Sequence, residues 1–109
     1  MNAIAPFVST DGDFDFEFPD CILTHVFSMA TADEVDVAIE TLLAVRNAGA
    51  KLAGMRVFRI GAQLHHKVRV RGIRTRDAHQ LADRLAAIPG VSNTTVEHVV
   101  SHQSQISSA

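Results

Sequence analysis

The residues that most restrict the fold are 55–73. "MRVFRI" and "LHHKVRVRGI" are two strand-like runs separated only by Gly61-Ala62-Gln63. So short a link can join antiparallel strands, whereas a parallel pair needs a crossover of a dozen residues or more. In the second run Leu64, His66, Val68 and Val70 alternate with His65, Lys67, Arg69 and Arg71. Successive side chains leave a strand on opposite faces, so one row is largely apolar and the other cationic. A sheet containing this hairpin has one covered face and one that meets water, a ligand or a partner.

Further elements flank the hairpin. "CILTHVFSM" (21–29) is β-branched and aromatic, and is expected to be a strand. Thr31-Ala32-Asp33-Glu34 fits a capping box, with Glu34 reaching back to the Thr31 amide and both acids suited to a helix N-terminus. The expected apolar stripe of that helix is Val35, Ala38, Ile39, Leu42 and Leu43, and Gly49 is its expected stop. After the hairpin, Thr75 is the expected N-cap of a second helix, with Asp77 in its first turn. Ala78, Leu81, Ala82, Leu85 and Ile88 form its stripe, and Pro89-Gly90 ends it. "TTVEHVV" (94–100) is the expected last strand.

The resulting order is β-α-β-β-α-β, the split pattern of ferredoxin-like α+β sandwiches: a four-stranded antiparallel sheet with two helices on one face. With 109 residues the chain is expected to hold one such domain, over residues 20–102. Residues 1–19 read as an acidic, Phe-rich arm, partly disordered or adding an extra strand, and 103–109 as a disordered tail. Within the arm, Phe14, Phe16 and Phe18 alternate with Asp13, Asp15 and Glu17 over residues 12–18, the period of a strand with one apolar and one acidic face.

The net charge of −2 hides a strong asymmetry. Residues 1–20 carry Asp11, Asp13, Asp15, Glu17 and Asp20 and no cation, whereas eight of the ten Lys and Arg residues lie in 51–76, a stretch without an acid. Such separation creates a local field that the total conceals. It suggests that the acidic arm lies against the basic strand, of the same chain or of a partner, with Phe burial supplying most of the stabilisation and charge setting register.

The composition offers little to a metal or a nucleophile. The single cysteine, Cys21, excludes an internal disulfide and a multi-cysteine metal knuckle. His65 and His66 are adjacent on a strand and point to opposite faces, so they cannot chelate together. On a continuous strand His98 and His102 share a face but stand ~13 Å apart. A metal would need histidines from different strands, such as His25 with His65 or His66. His79 and Asp83 share a helix face and read as a solvated pair. The six glycines are scattered and form no phosphate loop. No catalytic residue, metal site or cofactor is assigned on this basis.

Residues 20–101, through the Val68/Val70 strand, the stripe Leu81, Leu85 and Ile88, and the helix end "IPGV" (88–91), resemble the ACT domain. This is a small ferredoxin-like regulatory module of amino-acid-metabolising enzymes, and the chain looks most like the small stand-alone or subunit form seen with acetolactate synthase. The resemblance implies a non-catalytic, ligand-sensing role, side-by-side pairing of sheets into a homodimer or larger oligomer, and a metabolic enzyme as partner. It also implies an amino acid or other small anion bound between the first strand and first helix. In this chain that stretch reads "SMATADEVD" (28–36), with Asp33 but without the Pro or Gly that recur there. The candidate contacts are Thr31, Ala32 and Asp33, together with the cations Arg56, Arg69 and Arg71. Two rival readings remain: a nucleic-acid-binding module using the basic face, which lacks stacking aromatics on the strand 64–71, and a small dimeric α+β enzyme using a histidine across its interface. With no basic leader and no long apolar run, the chain is expected to be cytoplasmic and to have no membrane contact.

Overall fold

The computed structural model describes residues 7–8, 21–32 and 35–102. The elements are β1 (Phe7–Val8), β2 (Cys21–Thr31), α1 (Val35–Asn47), β3 (Lys51–Ile60), β4 (Gln63–Arg71), α2 (Thr75–Ala86) and β5 (Val91–His102). The strands form one antiparallel sheet in the order β1-β5-β2-β4-β3. Without the short β1, this is the expected β-α-β-β-α-β sandwich. The acidic alternation at 12–18 lies outside the described residues, as do Asp33, Glu34 and the tail. An added strand does occur, but at Phe7–Val8, where the sequence shows no periodicity; it pairs with His98 and Glu97 on the outer edge of β5.

The hairpin β3–β4 closes at the pair Ile60 and Gln63, across a two-residue turn in which Gly61 has a φ of 61°. That left-handed value is open to glycine at little steric cost. Near the other end of β3 the register slips between Leu52 and Gly54, a bulge with Ala53 as its extra residue.

Both helices cover the face bearing Phe27, Met29, Val68 and Val70, which are buried against Val45 of α1 and Ala78, Leu81 and Leu85 of α2. In α2 the observed stripe matches the sequence pattern: Ala78, Leu81 and Leu85 are buried, with Ala82 and Ile88 packed at the margin. The helix starts one residue earlier than a Thr75 N-cap would require. Arg74 holds the cap position without a side-chain hydrogen bond, and Thr75 itself is buried.

The first helix departs further from expectation. Thr31 is the last residue of β2 rather than an N-cap, and α1 begins at Val35. The buried positions of α1 are Val37, Thr41 and Val45, whereas Ile39 is 52% exposed and Leu42 and Leu43 also face outward. Apolar residues occur on more than one side of this helix, so periodicity offered two stripes, and packing on the sheet selected the one with smaller side chains. Thr41 fits there because its hydroxyl donates to the Val37 carbonyl at 2.7 Å, which satisfies the buried oxygen within the helix. The helix ends as expected: Gly49 has a φ of 75°, and the Ala50 amide closes back on the Val45 carbonyl.

Candidate ligand site on the open sheet face

The two sheet faces carry different chemistry, and strand register sorts it. On the helix side, His25 and His98 are directly opposite one another on β2 and β5. Both are fully buried, and their Nδ1 atoms are 2.8 Å apart. The His25 Nε2–H donates to the Ile73 carbonyl at 3.0 Å, so in the neutral ring Nδ1 is the acceptor and His98 Nδ1–H the donor. His79 of α2 packs on His98, with ring centroids 5.1 Å apart. It therefore turns toward the sheet, whereas the sequence pattern paired it with Asp83.

His66 is also on the helix side, buried among apolar neighbours, with Nε2 3.1 Å from the Thr31 hydroxyl. Burial, and then the neighbouring His65, push its pKa below the ordinary 6.5. Within the described residues no group of three or more His, Cys, Asp or Glu side chains is arranged to hold a metal ion.

Among the described residues no helix covers the opposite face. This face carries Arg56, Lys67, Arg69 and Arg71, with Lys51 at the end of β3. Lys67 stands directly across from Arg56, and Arg71 from Lys51. Like charges directly opposed on neighbouring strands are destabilising. Arg71 is steadied by a hydrogen bond from Nε to the Thr24 hydroxyl at 2.9 Å. Arg69 lies across Gly54, its guanidinium filling the space a Cβ there would take. Arg56 sits over the Phe58 ring, 5.4 Å from its centroid, and Phe58 in turn stacks on His65 at 5.6 Å with an interplanar angle of 18°.

Between these groups and β5 lies a depression of about 310 Å³. It follows from side-chain size. Ser28 and Ala30, on the central strand β2, are small and form a floor between taller neighbours. His65, Lys67 and Phe58 line one side, and Asn93 and Thr95 of β5 the other. No acid lines it.

The six residues suggested by sequence divide between these regions. Arg56, Arg69 and Arg71 share the open face. Thr31 is buried on the helix side, its hydroxyl 3.0 Å from the Ala32 carbonyl and 3.4 Å from that of Leu64. The Ala32 amide donates to the Gly90 carbonyl at 3.0 Å, and Asp33 lies outside the described residues. The structure therefore does not bring Thr31 and the arginines to one site. Ser28, Phe58, His65, Asn93 and Thr95 were not among the sequence candidates. The signal for the ring pair was present in the hairpin: counting back from its turn places Phe58 opposite His65.

This architecture is the ferredoxin-like ACT fold. No family model matches the chain, and no curated protein matches it either. Among solved structures, it is similar to the C-terminal domain of the MgtC protein from Mycobacterium tuberculosis. The TM-score is 0.61 at 15% identity, covering 69% of this chain and 85% of that one. It is also similar to the ACT domain from GTP pyrophosphokinase of Chlorobium tepidum, with a TM-score of 0.59 at 10% identity, covering 70% of this chain and 97% of that one. At these identities the likeness is one of fold. Among the described residues no helix is long and apolar enough to cross a membrane.

Proposed function

We propose that the chain is a non-catalytic regulatory module that senses a small anion on its open sheet face, working as a homo-oligomer or beside a metabolic enzyme. The observation that carries this reading is the two pairs of directly opposed cations, Arg56 with Lys67 and Lys51 with Arg71. The free protein bears a repulsion there that a bound anion relieves. The ACT-like fold supports a regulatory role, since the ACT domain it resembles is one segment of a larger enzyme. An amino acid fits this face less well than a simple anion. Among the described residues the depression has no carboxylate to receive an ammonium group, and the Ala32 amide is already engaged.

Self-association has its own support. The edge strand β3 exposes Leu52, Val57 and Ile60, and α1 exposes Ile39, Leu42 and Leu43. Large apolar side chains at an unpaired edge favour pairing with another chain.

Thermal unfolding against a panel of phosphate, carboxylates, nucleotides and amino acids tests the sensing role. The expected result is a raised midpoint with at least one anion, lost in Lys67→Gln; no shift with any of them rejects it. A second reading, a single-stranded nucleic-acid module, is favoured by the Phe58–His65 stack on a basic face. It requires oligonucleotide affinity that falls steeply with salt.

A further inference from the structure

We infer that the open-face depression is a nucleotide pocket, with a nucleoside monophosphate as its class of ligand; this rests on the anion-sensing reading above. The residues around the depression supply three kinds of contact, and a nucleotide uses all three. The first is a ring surface. Arg56, Phe58 and His65 form a continuous stack leading to the depression, and a flat base extends such a stack. Phe58 is 38% exposed although it is one of only six phenylalanines, so its ring remains available to a ligand.

The second kind of contact is hydrogen bonding. Asn93 and Thr95 on the far wall, with Ser28 on the floor, offer donors and acceptors to the edge of a base. The third is charge. Lys67 lines the depression, and Arg56, opposite it, gives the phosphate a second cation.

Size and composition narrow the choice. About 310 Å³ is at the small end of ligand sites, roughly 300–1,000 Å³, which suits one ring system with its anionic group. Inorganic phosphate leaves the stacked rings unused, and an α-amino acid brings an ammonium that no carboxylate among the described lining residues receives. The small floor residues are essential to this geometry, because a larger side chain at Ala30 projects into the space the base needs.

The test is calorimetric titration of the full chain with adenosine monophosphate, adenosine, inorganic phosphate, the amino acids and a short single-stranded oligonucleotide. It is repeated with His65→Ala, Lys67→Gln and Ala30→Leu, each checked for native circular dichroism. Adenosine monophosphate is expected to bind tightest. Removing the ring in His65→Ala weakens both the monophosphate and adenosine about tenfold. Lys67→Gln weakens the monophosphate and leaves adenosine unchanged, and Ala30→Leu abolishes binding of both. Should Ala30→Leu not fold, the other two variants decide the matter alone, because only His65→Ala is expected to weaken adenosine.

Phosphate or an amino acid binding as tightly as the monophosphate overturns the inference and leaves the sensing role standing, as does insensitivity to His65→Ala. An oligonucleotide that binds far tighter, with steep salt dependence, overturns it in favour of the nucleic-acid reading. If none of the probes binds, the sensing role fails as well.

Discussion

The two helices lie on the same sheet face and are nearly equal in length, yet their surfaces are built differently. In α2 the larger apolar residues are gathered into one stripe, and the rest of the helix is mostly polar or charged, with Arg76, Gln80, Asp83 and Arg84 outward or at the margin. In α1 the covered side holds Val37, Thr41 and Val45, and the outward side holds the larger Ile39, Leu42 and Leu43. One helix finishes its work within the monomer. The other has apolar area left over, in the same molecule whose edge strand β3 also has apolar area left over. The difference teaches that packing on the sheet accounts for the apolar stripe of α2 but for only part of the apolar surface of α1.

That contrast is sharpest in the cost of truncation. Leu85→Ala removes a fully buried side chain from the core and is expected to cost about 2–5 kcal/mol of stability. Leu42→Ala, of the same chemistry but 41% exposed, should cost about 1 kcal/mol or less in dilute denaturant titrations. Equal costs would sink the distinction. A contact of α1 beyond its own sheet is probed by Ile39→Ser with Leu43→Ser. Sedimentation is expected to show a lower assembled mass than for the parent chain, with the unfolding midpoint of the monomer nearly unchanged. An unaltered mass means the outward face of α1 serves no partner copy.

Acid tests the covered face of the sheet against the open one. Burial lowers the pKa of His66 in the folded state below 6.5, so on acidification the unfolded chain takes up this proton first. Its contribution to stability is complete above pH 6.5, declines as the pH falls through the interval down to the lowered value, and is flat below that. Midpoints measured from pH 8 to 5 should show the decline, and His66→Gln should flatten that part of it. A His66→Gln profile parallel to that of the parent chain would refute the assignment. The smallest effect belongs to the open face. Lys67→Gln removes one of two directly opposed cations and is expected to stabilise the free protein by roughly 0.2–1 kcal/mol, while impairing its response to anions. A loss of stability would mean that the cation row is balanced by groups elsewhere.

The hairpin and α2 were legible from sequence because each has a single period with a single solution. Strict alternation in 64–71 admits only one inward row, and Ala78, Leu81 and Leu85 define only one helix face. Helix α1 was not legible in the same way. Val37, Ile39, Leu42, Leu43 and Val45 leave two faces open to burial, and only the fit against the sheet and α2 decides between them. Thr31 misled for a related reason. A threonine before two acids has the chemistry of a cap, but the pairing of Thr31 with Leu64 and Val91 extends β2 through that residue. The candidate site was half legible. Its cations follow from alternation, whereas its floor depends on three strands distant in sequence placing Ser28 and Ala30 between His65 and Asn93.

The short strand Phe7–Val8 adds a constraint on assembly. By occupying the outer edge of β5 opposite His98 and Glu97, it stands midway along the path an incoming strand would follow there. The far edge, β3, has no such guard among the described residues. For any edge-to-edge pairing of copies, β3 would offer an uninterrupted path over its described length and β5 an interrupted one, so the two edges are not equivalent.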